Sequence, residues 1–129
     1  MKRICSASLA VLAVALFDAA SLVANVGAAP IARDTVEITF TSDQQRNIAA
    51  GWIDSTNRPR TQQDPILSTF DSKAGLWSST LTYTTRGQVA EFVVYLQTSG
   101  SRASCEVAVN GTVTTQNTVR GRRGIAVCG

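Results

Sequence analysis

Histidine is absent from the 129 residues, and cysteine, proline and aromatic side chains are scarce. Without histidine, the chain lacks the commonest general base and the commonest zinc ligand of proteins. The carboxylates are spread along the chain at no motif spacing. A folded carboxylate pair of the kind that glycosidases use is the catalytic arrangement that stays open. The composition therefore favours a protein that is not an enzyme and that needs no metal or cofactor.

The amino terminus has the pattern of a secretory signal peptide. Lys2 and Arg3 precede an apolar run over residues 4–17, and small residues up to Ala28 suit signal peptidase. We therefore expect a signal peptide at residues 1–28 and one mature domain at residues 29–129. The mature protein would be exported, either to the periplasm and cell envelope or into the medium.

The alternative is an anchor helix that is not cleaved. Residues 4–26 could nearly span about 30 Å of hydrocarbon. Asp18 lies in the middle of that stretch, and an aspartate at the centre of a membrane helix costs about 3 kcal/mol on insertion. We expect membrane contact only if this segment is retained.

The charge of the mature domain is nearly balanced, because 10 basic and 8 acidic residues follow residue 28. A protein that binds nucleic acid needs a clustered basic face rather than a small surplus of positive charge. We therefore expect no nucleic-acid partner. A chain of about 100 residues forms one domain with a single core.

Apolar and polar residues alternate repeatedly after residue 30, with turn signals between the runs, whereas helical periodicity is hard to find. The alternation at 35–41 is clean, so Val36, Ile38 and Phe40 are expected to face inward. Asn110-Gly111 is a strong signal for a type I′ hairpin turn. About seven short strands predict an all-β, two-sheet sandwich. The other predicted strands are 47–54, 77–86, 88–97, 102–109, 112–119 and 124–128.

Residues 55–75 contain two prolines, a glycine and many polar side chains. This composition predicts a long excursion between strands. We expect Ile66, Leu67 and Phe70 to attach it to the core.

The segment 88–97 is apolar on both faces of a predicted strand. Val94 and Leu96 lie on one face, while Val93 and Tyr95 lie on the other. Such a strand is either central and covered on both sides, or has one face against a partner.

Cys105 and Cys128 are the cysteines that remain after processing. An exported chain meets an oxidising compartment, so we expect a disulfide between them. Closing a loop of this length stabilises the fold by about 3 kcal/mol in the chain-entropy description. A redox role is the alternative, but the spacing and the neighbouring residues are not those of a reactive thiol.

Two further groups are candidates for a partner or ligand surface. Trp52 and Trp77 combine a large apolar area with an N–H donor, although core packing is the commoner role of such residues. Arg120, Arg122 and Arg123 form a basic cluster between glycines. They could hold a phosphate or carboxylate, or they could be a solvated turn that discourages edge pairing.

Several segments occur in the order and at the approximate spacing of a known family. They are the strand at 35–38, Trp52-Ile53-Asp54, Pro59, the strand at 77–84, the run Cys105-Glu106-Val107-Ala108-Val109-Asn110-Gly111 and the closing Ala126-Val127-Cys128. On these residues the chain from about Thr35 to Gly129 resembles the soluble domain of the mycobacterial MmpS membrane-protein family. The cysteine strand with its Asn-Gly turn and terminal partner is the most specific part.

The resemblance implies a small immunoglobulin-like β-sandwich outside the cytoplasmic membrane. It also implies a non-catalytic accessory role, with an MmpL-type transporter as partner and a lipid or siderophore as cargo. The family usually keeps an N-terminal membrane anchor, whereas this amino terminus has the pattern of a cleaved signal. The alternative is a free secreted immunoglobulin-like module that binds a protein or an apolar ligand, with an exposed apolar patch near Trp52 or Trp77.

Overall fold

Two antiparallel β-sheets make up the fold. The computed structural model describes residues 29–87 and 92–129, and these contain nine strands. The predicted signal peptide at 1–28 and residues 88–91 of a predicted strand lie outside the described residues. The strands are β1 (Thr35–Ser42), β2 (Ala49–Ile53), β3 (Pro59–Gln63), β4 (Thr69–Asp71), β5 (Leu76–Thr84), β6 (Val94–Gln97), β7 (Arg102–Val109), β8 (Thr112–Arg120) and β9 (Ile125–Cys128).

The strand order is that of an immunoglobulin-like sandwich with one rearrangement. One sheet has the order β4-β5-β1-β7-β8 and the other β3-β2-β6-β9. In immunoglobulin notation, β4-β5-β1 take the places of strands D, E and B, and β3-β2-β6-β9 those of C′, C, F and G. The β7–β8 hairpin is inserted between strands F and G and lies beside B, where strand A of an immunoglobulin domain would lie. The predicted all-β sandwich is confirmed.

The core lies between the inward faces of the two sheets. Val36, Ile38 and Phe40 of β1 are at most 4% exposed, as their alternation predicted. Burying an aliphatic or aromatic side chain of this size stabilises a fold by about 1.5–3 kcal/mol. Leu67 and Phe92 enter the core from outside the strands, and the strands around β1 and in the opposite sheet contribute Ala50, Val94, Leu96, Ala103, Cys105, Val107, Ala126 and Cys128.

The turn between β7 and β8 has the predicted form. Asn110 has a φ of 52° and Gly111 a φ of 84°, the positive values that a type I′ turn requires. The side-chain oxygen of Asn110 accepts a hydrogen bond from the N–H of Thr35 at 2.9 Å, and its Nδ2 donates to Asp34 Oδ1 at 2.9 Å. The hairpin turn is therefore attached to the start of β1.

The segment 55–75 differs from its prediction, because it contains β3 and β4 and so raises the strand count from about seven to nine. Leu67 is 2% exposed and belongs to the core as expected, but Ile66 is 55% and Phe70 50% exposed. The prediction was wrong for these two side chains. All five residues of β3 are exposed, so this strand has no apolar alternation by which the sequence could reveal it.

A disulfide joins the two sheets on one side of the sandwich. Cys105 of β7 and Cys128 of β9 are bonded, with their Cα atoms 6.1 Å apart. On the same side, Asn117 Nδ2 of β8 donates to the carbonyl of Val127 in β9 at 3.2 Å. The predicted pairing is confirmed, and it differs in position from the immunoglobulin disulfide, which joins strands B and F.

Candidate functional site

The outer faces of the two sheets have different chemistry. On the five-stranded sheet, the outward positions are mostly threonine and serine, with charged residues among them. Thr39 and Thr80, which are opposite each other in β1 and β5, are hydrogen-bonded through their hydroxyl groups at 3.1 Å. This face is polar, as expected for the solvated side of an antiparallel sheet.

The outer face of the four-stranded sheet is apolar. We use the name apolar face for the outward side chains of Ile53, Val93, Tyr95, Ile125 and Val127. Val93, Ile125 and Val127 are 47%, 48% and 51% exposed, respectively. Their neighbours at the other outward strand positions carry no charge, and are Ala49, Gly51, Pro59, Thr61, Gln63 and Gln97.

The strand register explains why these side chains lie together. Tyr95 of β6 is opposite Val127 on one side and Gly51 on the other. Because successive side chains alternate between faces, Val93 lies on the same face as Tyr95. The central position of the apolar face is therefore an aromatic ring with branched aliphatic neighbours.

Two shallow depressions flank Val93. One has a volume of about 220 Å³ and is lined by residues that include Gly51, Ile53 and Tyr95, and by Arg60, whose charge is paired with Asp54. The other has a volume of about 450 Å³ and runs between Val127 and residues 115–117 of β8. The apolar face is thus uneven enough to receive side chains from another surface.

Protein interfaces are depleted of charged residues at their centres and enriched in aromatic ones. Contiguous exposed apolar patches on soluble domains mark interaction sites. The apolar face fulfils both criteria, and it is our candidate functional site. In the described part of the two-sided segment 88–97, the outward side chain of Val93 is half exposed, so this face is not covered by the described part of the chain itself.

A groove opens between the two sheets on the side opposite the disulfide. It has a volume of about 260 Å³, and Phe40, Trp52, Leu67 and Leu81 are among its apolar lining residues. Ile66 also lines it and is 55% exposed. The groove is a second concave apolar site, and Trp52 is the predicted surface residue that belongs to it.

Trp77 lies at a different place, on β5 opposite Phe70 of β4. The two rings are 4.9 Å apart between centroids and tilted by 45°. Both tryptophans are partly buried and pack against the core. Each therefore packs against the core and keeps part of its ring at the surface, and a role of either in binding stays a prediction.

The three predicted arginines are exposed and lie at the end of β8 and in the turn that follows it. Trp77 and Arg120 are separated by the width of β1 and β7 within one sheet. The structure therefore places the two predicted groups at three separate positions, because Trp52 and Trp77 lie apart. None of these residues belongs to the apolar face, which the sequence did not predict.

Several carboxylates are held by local hydrogen bonds. The hydroxyl of Thr56, the guanidinium of Arg60 and the N–H of Arg58 hold the pKa of Asp54 far below its ordinary value of 3.8. At Asp43, burial raises the pKa, but the hydroxyl and N–H of Ser101 and the N–H of Arg102 outweigh it, so the pKa is lowered overall. Both groups are therefore ionised acceptors that fix loops.

The phenol of Tyr83 joins the sheets at the end opposite Asp43. Its O–H donates to the carbonyl of Ile53. Burial, with a smaller contribution from the charge of Asp54, raises the pKa of Tyr83 to about 12. The phenol therefore stays protonated and keeps its donor role over the ordinary pH range.

Within residues 29–87 and 92–129, no group of three or more cysteine or acidic side chains is placed to hold a metal ion. The same part of the chain has no helix long and apolar enough to cross a membrane. A comparison with models of protein families found no match, and no curated protein matches the chain. The resemblance to the MmpS family therefore stays a prediction.

Proposed function

We propose that this chain is an exported, non-catalytic accessory protein that binds a membrane transporter through its apolar face. The observation that carries the proposal is the uncharged apolar face, on which Val93, Ile125 and Val127 are about half exposed and Ile53 and Tyr95 are partly buried. A domain this small gains nothing in stability from leaving three branched aliphatic side chains about half exposed. Contact with a partner would remove that area from water at about 25 cal/mol per Å².

The chemistry of the face indicates what kind of partner it fits. A surface without charge selects a partner patch that is itself apolar, because an unpaired charge buried against it would be costly. The edge strand β9 belongs to this face, and its outward side chains are aliphatic rather than charged. The partner is therefore a protein surface with an apolar patch rather than a polyanion.

The resemblance to the MmpS family suggests which protein this is. It supports an MmpL-type transporter of lipids or siderophores, with the sandwich attached to an exported part of that transporter. The disulfide between Cys105 and Cys128 is compatible with an oxidising, exported location.

The test is recovery of the transporter after cross-linking in the native envelope. The variant Val127→Glu places a charge on the apolar face, whereas Thr84→Glu places the same charge on the exposed outer face of the other sheet, opposite the uncharged Thr35. We expect wild type and Thr84→Glu to retrieve a transporter and Val127→Glu to lose it. Equal recovery by both variants, or no transporter with the wild type, would refute the proposal.

A second candidate function is supported by the inter-sheet groove. As a free secreted module, the protein would bind the apolar part of a small ligand between Trp52 and Leu81. Ligand pockets are concave and mostly apolar with a few polar groups, and Gln62, Ser68 and Ser79 provide such groups here.

This candidate is tested by tryptophan fluorescence with a brominated fatty acid as quencher. In the variant Trp77→Phe, Trp52 is the only tryptophan left, and we expect saturable quenching. In Trp52→Phe the remaining signal should be quenched much less. Equal quenching in both variants would show that the probe does not enter the groove.

A further inference from the structure

Two arginines lie directly opposite each other on the outer face of the five-stranded sheet. Arg102 of β7 is the register partner of Arg120 of β8. Ala103, the next residue along β7, is fully buried, so alternation directs Arg102 outward. Like charges at directly opposed positions of an antiparallel pair are destabilising. The pair therefore has a cost that a bound anion would remove.

An independent observation concerns the guanidinium of Arg102. Its Nε is buried and has no hydrogen-bond partner among the described residues. A buried donor without an acceptor costs about 1–3 kcal/mol, and more for a charged group. Because Arg102 as a whole is only partly buried, a small displacement of its guanidinium would bring this donor to the surface, where an oxygen of a ligand would satisfy it.

Neighbouring loops add positive charge at the same end of the sandwich. The turn after β8 carries Arg122 and Arg123, and the N–H of Arg123 donates to the carbonyl of Gly100 at 2.9 Å. The N–H of Gly121 donates to the carbonyl of Ser101 at 2.8 Å. These bonds fix the arginine turn against the loop that leads into Arg102.

Within residues 29–87 and 92–129, none of these four arginines forms an ion pair with an acidic side chain. The carboxylate that approaches this loop, Asp43, is occupied by the N–H and hydroxyl of Ser101 and by the N–H of Arg102. On the outer face of β7 the next acid is Glu106, four residues and about 13 Å from Arg102.

We infer that Arg102 and Arg120, with Arg122 and Arg123 at the adjoining turn, form a binding site for a phosphate group. Guanidinium groups bind phosphate oxygens through paired, charge-assisted hydrogen bonds. The hydroxyls of Ser104 and Thr118, the next pair along the same face, are hydrogen-bonded to each other at 2.9 Å and offer further polar contacts. The phosphate would belong to a free phosphorylated compound or to a lipid headgroup.

The test follows the arginine Nε–H resonances of the exported, isotope-labelled protein by NMR during titration with inorganic phosphate, with sodium chloride at matched ionic strength as reference. We expect a saturable shift of the Arg102 resonance that chloride does not cause. Because each lost charge-assisted bond weakens binding substantially, Arg102→Gln and Arg120→Gln should each reduce the affinity at least about tenfold. Arg120 is exposed, so its variant remains informative if Arg102→Gln fails to fold.

Arg86→Gln is the matched control, because Arg86 is exposed and lies at the opposite end of the sandwich. Flotation with vesicles of phosphatidylcholine, with and without phosphatidic acid, separates the two sources of phosphate. Binding to phosphatidic acid vesicles that depends on Arg120 supports the site and assigns it to a lipid headgroup. The inference is overturned if neither probe binds, or if Arg86→Gln weakens binding as much as Arg120→Gln.

Discussion

The ring of Tyr95 lies directly over Gly51. A Cβ atom built on Gly51 would be 2.2 Å from Cε1 of that ring, much closer than two carbon atoms can approach. The glycine is buried although it belongs to the outer face of its sheet. The absence of a side chain in β2 therefore determines where the aromatic centre of the apolar face sits.

The variant Gly51→Ala should displace the Tyr95 ring and destabilise the fold by about 1–2 kcal/mol, in the lower part of the range for overpacking because the ring can move toward solvent. Urea unfolding measures the loss. In the background Tyr95→Ala the same substitution should cost nothing, because the ring is gone and alanine suits a strand better than glycine. Equal costs in both backgrounds would contradict the proposed contact.

Replacing Cys105 and Cys128 with alanine should lower the free energy of unfolding by about 3 kcal/mol, since the unfolded chain regains the freedom of a closed loop. Unfolding curves with and without dithiothreitol provide the measurement. The reductant should destabilise the wild type by a similar amount and leave the variant unchanged. A free-thiol assay on the denatured, unreduced protein that finds two thiols would disprove the bridge.

Asp43 should stabilise the protein at neutral pH and lose that effect in acid. Its pKa is lowered in the folded state, so the contribution is present above the ordinary value near 3.8 and disappears as the pH falls through the folded value. We expect Asp43→Asn to lower the free energy of unfolding by about 1 kcal/mol at pH 7. This is less than hydrogen bonds to a charged group usually contribute, because the carboxylate is partly solvated. The difference from wild type should shrink below pH 3.8. A difference that does not vary with pH would argue against an ionised acceptor.

Tyr83 should stabilise the protein at neutral pH and lose that effect in alkali. Its pKa is raised to about 12 from an ordinary 10.0, so its stabilising effect is complete below pH 10 and is lost as the pH rises toward 12. Removing the hydroxyl in Tyr83→Phe should cost about 1 kcal/mol at pH 7, the usual net value of a hydrogen bond. Ultraviolet titration of wild type and variant isolates the ionisation of Tyr83. Ionisation near pH 10 would show that the phenol of Tyr83 is not buried between the sheets.

The sequence predicted strands well where one face of the strand is polar. The alternation around Val36 and Ile38 gave β1 its correct orientation, and Asn110-Gly111 located the hairpin. It failed for β3, because Pro59–Gln63 is exposed on both faces and has no apolar pattern.

The apolar face could not be predicted because its strands are apolar on both sides. Strand β9, Ile125–Cys128, and the segment around Tyr95 are apolar on both sides, so alternation cannot distinguish the core face from the outer one. Only the pairing of β2, β6 and β9 shows which aliphatic side chains are outward. Tryptophan and arginine are typical of interaction surfaces by residue type, whereas valine and isoleucine are typical of cores.

The two open sides of the sandwich are held together by different kinds of contact. The sheets are covalently joined at β7 and β9, while the side of β3 and β4 is held by noncovalent contacts such as Leu67 in the core. We therefore expect local opening to begin at the groove and to pivot about the disulfide, with the amides of β3 and β4 exchanging with solvent before those of β1 and β7. A hydrophobic molecule would enter the groove during such a local opening, without unfolding of the whole domain.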